Sequence, residues 1–267
     1  VTNVLKVNNV SKVFNKNNVN EKVALKNVNL ELREGDFVTV IGSNGAGKST
    51  LLNAVAGVFP VDSGTISLGQ SEVTAHPEHI RAARIGRVFQ DPLLGTAASM
   101  TIEENLVLAL RRGQKRRLRR AVSGAERQLF REKLALLELG LENRLTTPVG
   151  LLSGGQRQAL TLLMATLKEP ELLLLDEHTA ALDPVTAGTV LDLTCRLIER
   201  MGLTTLMVTH NLEQALNVGN RTVMMHEGQI VLNLMGEERR RAKISDLLRL
   251  FKEASGSNLY QDSMLLA

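Results

Sequence analysis

The chain of 267 residues has one cysteine, Cys195, one tyrosine and no tryptophan. A lone cysteine cannot close an internal disulfide, so a disulfide-stapled secreted scaffold is excluded. No Cys/His cluster has zinc-site spacing, and no heptad run suggests a coiled coil. The longest stretch without a charged residue is 13 residues, Ser49 to Val61. A spanning helix needs about 20 apolar residues, so the sequence predicts no membrane crossing. The first ten residues, VTNVLKVNNV, lack the long apolar core of a signal peptide. These absences lead to the expectation of a cytosolic chain.

What is present is ordinary for a packed domain: 43% hydrophobic and 22% charged residues, with a net charge of +4. The charge is uneven. Seven basic residues fall within Arg111–Arg120, RRGQKRRLRR. Such a run suits either a solvated helix face or an acidic partner, nucleic acid or lipid headgroups. No aromatic interleaves with it, which weighs against stacking on single strands.

Hydrophobic periodicity predicts an α/β chain. Val28, Leu30 and Leu32 alternate with polar residues, as in a half-buried strand. FVTVI at 37–41 reads as a buried parallel strand. A helix is expected over 48–57. Strands are expected at 172–175, 203–209, 222–225 and 229–232, with helices from Pro184 to about Met201 and over 211–218. Asp183 and Pro184 suit N-cap and first helical turn. Between 92 and 167 only helices are expected: a capping box at Thr101 and Glu104 opens one, and an amphipathic helix over 126–139 ends near Gly140. A short amphipathic helix with Ile244, Leu247, Leu248 and Phe251 precedes a polar tail.

The chemistry lies in short motifs. GSNGAGKST matches G-x-x-x-x-G-K-[ST] at Gly42, Gly47, Lys48 and Ser49, between a strand and a helix. Glycines there let the backbone amides of the loop Gly42–Thr50, those of Ser43, Asn44, Gly45, Ala46 and Thr50 among them, turn toward phosphate oxygens. The following helix adds its dipole. Lys48 would reach the β- and γ-phosphates, and Ser49 would ligate Mg²⁺. LLLLDE carries Asp176 to a strand end, where it would hold Mg²⁺, with Glu177 as general base on water. His210 ends an apolar strand; it is either structural or a hydrogen-bond donor to the γ-phosphate. Ser153-Gly154-Gly155 before a helix makes a second anion site, or an ordinary cap.

Taken in order, these motifs resemble the ATP-binding subunit of an ATP-binding cassette (ABC) transporter, from about Val4 to Leu234. The resemblance implies a single cassette over 1–267. It would comprise a P-loop α/β core with a mostly parallel sheet and an N-terminal antiparallel β region (1–91 and 168–235). A helical subdomain would be inserted at 92–167 and a short tail would follow at 236–267. It implies ATP and Mg²⁺ as cofactors, with LSGGQ contributing Ser153, Gly154, Gly155 and Gln156 to the nucleotide held by a second copy. Gln90 matches the glutamine that approaches Mg²⁺ and the water. Asp183 matches the loop that signals across the dimer. Phe14 matches the adenine-stacking aromatic, against a plain alternative as a small core residue. Three positions depart from the common pattern: His178 for proline, Ala180 for serine and Ala159 for arginine.

The function so implied is ATP hydrolysis that drives a separate membrane permease. Import is expected, with a small solute such as an amino acid as cargo; tryptophan is a specific guess. A solute-binding protein would complete the system, with this chain peripheral at the cytoplasmic face and no nucleic acid bound. Two alternatives share the site: an export or lipoprotein-release motor, and a soluble ABC protein acting on nucleic acid or ribosomes.

Overall fold

The computed structural model describes residues 3–114 and 122–255. In chain order the elements are β1 (Asn3–Phe14), β2 (Lys22–Arg33), β3 (Phe37–Gly42), α1 (Lys48–Ala56), β4 (Ser63–Leu68), β5 (Ser71–Glu72) and α2 (Glu78–Arg81). Then come β6 (Ile85–Val88), α3 (Ile102–Leu110), α4 (Gly124–Ala135), α5 (Gly154–Thr166), β7 (Leu172–Asp176) and α6 (Pro184–Met201). The chain closes with β8 (Thr205–Val208), α7 (Leu212–Asn217), β9 (Arg221–His226), β10 (Gln229–Met235), α8 (Gly236–Arg241) and α9 (Ile244–Ser255). They divide into two compact units, 1–81 with 202–267 and 82–201.

In the first unit, β1 pairs antiparallel with both β2 and β4. A mixed sheet has β3 parallel to β8 on one side and to β9 on the other, with β10 antiparallel at the edge. All six residues of β3 are buried, as its mostly apolar run demands, and the one polar side chain, Thr39, donates to Ala215 O at 2.9 Å. Ile41, Met224, Leu234 and Leu212 form a core that Leu247 of α9 completes. Helix α1 ends at Gly57, φ +82°. Its last carbonyls are satisfied by a distant side chain: Arg81 donates from Nη1 to Ala54 O and Val55 O, both at 2.9 Å. The same guanidinium binds His76 O and Thr74 O. Burial lowers its pKa, and four carbonyls compensate a charge that is otherwise costly to bury.

In the second unit, β6 and β7 pair in parallel, Ile85 opposite Leu172. The rest is helical, with 3₁₀ turns at Leu141–Asn143 and Val149–Leu151. Both hydrogen bonds of the Thr101–Glu104 capping box are present. Helix α4 stops at Ala135, short of the expected 139. Glu138 and Gly140 both take positive φ there, and Gly140 caps the next 3₁₀ turn. Strands β1, β4 and β6 are absent from the periodicity reading. Strand β1 is bulged, and β6 is four residues long, too short for alternation to register.

Part of the basic run lies in the described residues. Arg111 pairs with Glu126 at 3.1 Å, and Arg112 donates to Ala165 O at 3.3 Å. These two guanidiniums serve the helical unit's own packing. The rest of the run, residues 115–120, lies outside the described residues, as does the polar tail beyond 255.

Candidate nucleotide site

The first unit carries the Gly-rich loop. Gly42, Gly45 and Gly47 have φ of +152°, +80° and +102°, backbone that favours glycine. Two of them also meet walls. A Cβ on Gly42 would lie 2.3 Å from Met225 O, and one on Gly47 would lie 2.5 Å from Ala24 O. Gly45 is exposed, and among the described residues its Cβ would meet only Lys22 Nζ, at 3.6 Å. The loop is braced from below. Ala46 O accepts from Gly228 N at 3.0 Å, and Gly228 O accepts from Lys26 N at 2.8 Å. Lys48 is buried, and its Nζ donates to Gly42 O (2.8 Å) and Ser43 O (3.1 Å). The ammonium thus folds back over the loop at the start of α1. Ser49 is exposed and Thr50 half-buried beside it. A hollow of backbone amides, a helix N-terminus and an ammonium fits a polyphosphate.

His210 lies at the same edge. Strands β3 and β8 run parallel, and Thr209 N donates to Val40 O at 3.1 Å, extending their pairing past β8. The Gly-rich loop and His210 therefore leave neighbouring strands at one C-terminal edge, where ligands bind in open α/β sheets. Phe14, at the end of β1, is half-buried. Its ring meets Phe59 edge-on at 5.2 Å between centroids, and Lys12 Nζ lies 5.4 Å from both.

The second unit carries the other residues. Ser153 caps α5: its Oγ accepts from Gln156 N, and Gln156 Oε1 accepts from Ser153 N, both at 3.2 Å. Gln156 therefore spends its carbonyl oxygen on the cap. No acidic residue sits in the first turn of α5, so its positive end is available to an anion. A Cβ on Gly155 would lie 2.3 Å from Thr186 Cγ2, so a larger residue there would force a shift. Asp176 ends β7, with Arg87 Nη2 at 3.5 Å from its carboxylate. Glu177 follows at φ +44°. Asp183 accepts from Thr186 N at 3.1 Å, and hydrogen bonds from the Thr186 side chain and backbone hold it below the usual carboxylate range. Gln90 is exposed, two residues beyond β6.

Sequence reasoning missed the residues that hold these in place. Arg87, beside Asp176, also lies over the Phe89 ring at 4.5 Å. Gln158, fully buried on α5, donates to Phe89 O at 3.2 Å, which ties the capped helix to the residue before Gln90. Nothing in a lone Arg or Gln announces such a role. His178 is 1% exposed and its Nε2 is 3.0 Å from Thr194 Oγ1. Burial pushes its pKa down to about 4. Ala159 is fully buried, where an arginine would not fit without rearrangement, and Ala180 is exposed.

Among known proteins, a family model described as ABC transporter matches residues 25–180. The "Tyrosine transport ATP-binding protein" of Clostridioides difficile is 42% identical over 251 residues, covering 94% of this chain and 100% of that one. The "Methionine import ATP-binding protein MetN 2" of Oenococcus oeni is 31% identical over 85% of this chain; the chain spans only 64% of it. A solved dimer of the ATP-binding cassette MJ0796, in a post-hydrolysis state bound to ADP and Pi, has a TM-score of 0.71 and 31% identity. It covers 86% of this chain and 98% of its own.

Proposed function

The chain belongs to the ABC transporter family, whose ATP-binding cassettes hydrolyse ATP, and from that premise we propose that it energises uptake of an amino acid through a separate permease. The observation that carries the reading is the pairing of a braced Gly-rich loop under Lys48 with a second, glycine-capped helix start at Ser153. One phosphate cradle suffices for a simple ATPase. Two imply that Ser153, Gly154 and Gly155 serve the nucleotide of a second copy. The dimeric MJ0796 cassette supports that arrangement.

Each residue then has a task. Lys48 and the amides of Gly42–Thr50 bind the phosphates and take up charge as the γ-phosphoryl leaves. Glu177 accepts a proton from the attacking water, and His210 donates to the γ-phosphate. Phe14 stacks on adenine. Ser49 and Asp176 offer hydroxyl and carboxylate oxygens, the donors Mg²⁺ prefers, and would hold it together with the Gln90 amide. When bound, Mg²⁺ supplies charge neutralisation across the β- and γ-phosphates. Asp183, fixed as the cap of α6, faces the partner copy.

The membrane partner is argued from the surface. No helix among the described residues is long and apolar enough to cross a membrane. Leu93 and Leu94, 49% and 71% exposed, lie just past Gln90, after Asp91 and Pro92, and would receive a permease loop at the cytoplasmic face. Relatives named for tyrosine transport and methionine import support an amino acid as cargo, with a solute-binding protein delivering it. The test is Glu177→Gln in the full chain. The variant is expected to bind MgATP, elute as a dimer and hydrolyse at under about 1% of the wild-type rate. Vigorous turnover would remove Glu177 from its role, and an ATP-bound monomer would remove the shared site.

A further inference from the structure

His178 stands where proline is common, directly after Glu177, and its environment gives it a specific place. The ring is 1% exposed and Thr194, on α6, is fully buried. Thr194 Oγ1 lies 2.7 Å from Val190 O and 3.0 Å from His178 Nε2. A hydroxyl has one proton, and the carbonyl can only accept, so that proton goes to Val190 O. The Thr194 oxygen must then accept from His178 Nε2–H. The tautomer is fixed, and the ring is pinned to the middle of α6.

Glu177 needs such pinning. Its φ of +44° is backbone that a residue with a Cβ adopts only when its surroundings impose it. One restraint is local: Ala180 N donates to Glu177 O at 2.9 Å. On its N-terminal side, β7 ends at Asp176. On its C-terminal side, the next residue is His178. The same helix α6 carries Thr186, against which Gly155 of the capped loop packs. One rigid element thus touches both the glycine loop and the residue that follows Glu177.

We propose that His178 is a positioning residue: through Thr194 it locks the Glu177 peptide onto α6 and so aims the carboxylate that accepts the proton. This rests on the general-base role proposed for Glu177. The anchor substitutes a side-chain hydrogen bond for the backbone stiffness that proline would supply.

The test uses the full chain with MgATP, reading kcat, KM, nucleotide affinity and melting temperature for Thr194→Val, Thr194→Ser and His178→Leu. Thr194→Val keeps the shape and loses the acceptor; Thr194→Ser keeps the acceptor. Thr194→Val and His178→Leu are each expected to lower kcat about tenfold with KM and affinity within about twofold. Thr194→Ser is expected to stay within about twofold of wild type. The Thr194→Val/His178→Leu double variant should be no slower than either single one. Unchanged kcat in Thr194→Val, or a loss shared equally by KM and affinity, overturns the proposal. If Thr194→Val does not fold, His178→Gln, which keeps a donor, against His178→Met, which has none, makes the same comparison. Vigorous turnover in Glu177→Gln would refute the general-base role itself, whereas a crippled Glu177→Gln beside a Thr194→Val at the wild-type rate refutes only the positioning role.

Discussion

Gly47 can be perturbed in a way that separates two costs. Gly47→Ala would meet an unfavourable backbone and a wall. At φ +102° an alanine carries strain of about 1–2 kcal/mol. Its Cβ would sit 2.5 Å from Ala24 O and 3.3 Å from Gly228 Cα. Neither neighbour is free to retreat: Gly228 bonds to both Ala46 and Lys26, and Ala24 lies within β2. Forced overpacking of this kind adds about 1–3 kcal/mol, for a total of about 2–5 kcal/mol. Gly35→Ala is the control. Its φ is +78°, yet none of the described residues lies within 4 Å of its Cβ, so only strain of about 1–2 kcal/mol is expected. Urea unfolding of both variants, with unchanged m-values, gives the two numbers. MgATP affinity should fall steeply in Gly47→Ala and hold in Gly35→Ala, since Gly35 lies in the β2–β3 turn. Equal destabilisation of the two would refute the claim that the loop is held against β2.

Two further outcomes follow from the second unit. The His178 ring titrates near 4 when folded against 6.5 in the free side chain. An unfolded chain therefore takes up a proton that the folded one refuses, and stability present above pH 6.5 is lost as pH falls toward 4. Between pH 7.5 and 4.5 the loss is about 2–3 kcal/mol, and it should vanish in the His178→Leu/Thr194→Val double variant when urea unfolding is compared at the two pH values. Gly155→Ala brings a Cβ within 2.3 Å of Thr186 Cγ2. Overpacking of about 1–3 kcal/mol is partly offset by about 1 kcal/mol of helix propensity. Thr186→Ser, which removes that methyl and keeps the hydroxyl, should restore both stability and ATPase rate in a double-mutant cycle; independent effects would show that the two residues do not meet.

Charge pattern alone proved ambiguous. Arg111 and Arg112 read as members of a basic run, either a solvated helix face or a site for an acidic partner. In the fold, Arg111 pairs with Glu126 and Arg112 donates to a helix-end carbonyl. Arg81 had no distinguishing mark in sequence, yet it closes the C-terminus of the helix that follows the Gly-rich loop. Long cationic side chains reach partners far along the chain, and local reading does not register them.

The sequence by itself determined the α/β class, the Gly-rich loop, the Ser153 cap and the acidic strand end. Each depends on residue types at short, fixed spacing: glycines for positive φ, Lys-Ser at a helix start, four leucines before Asp-Glu. Local chemistry is enough for those. Only the tertiary structure decided what holds them. It put Met225 O and Ala24 O against the loop glycines and set Gln158 under Phe89. It also turned His178 from a departure at a proline position into a buried donor on Thr194. Those partners range from 16 positions apart, His178 and Thr194, to 183 apart, Gly42 and Met225, and no period or motif links residues at such separations. Close packing brings them together, and close packing is a property of the fold.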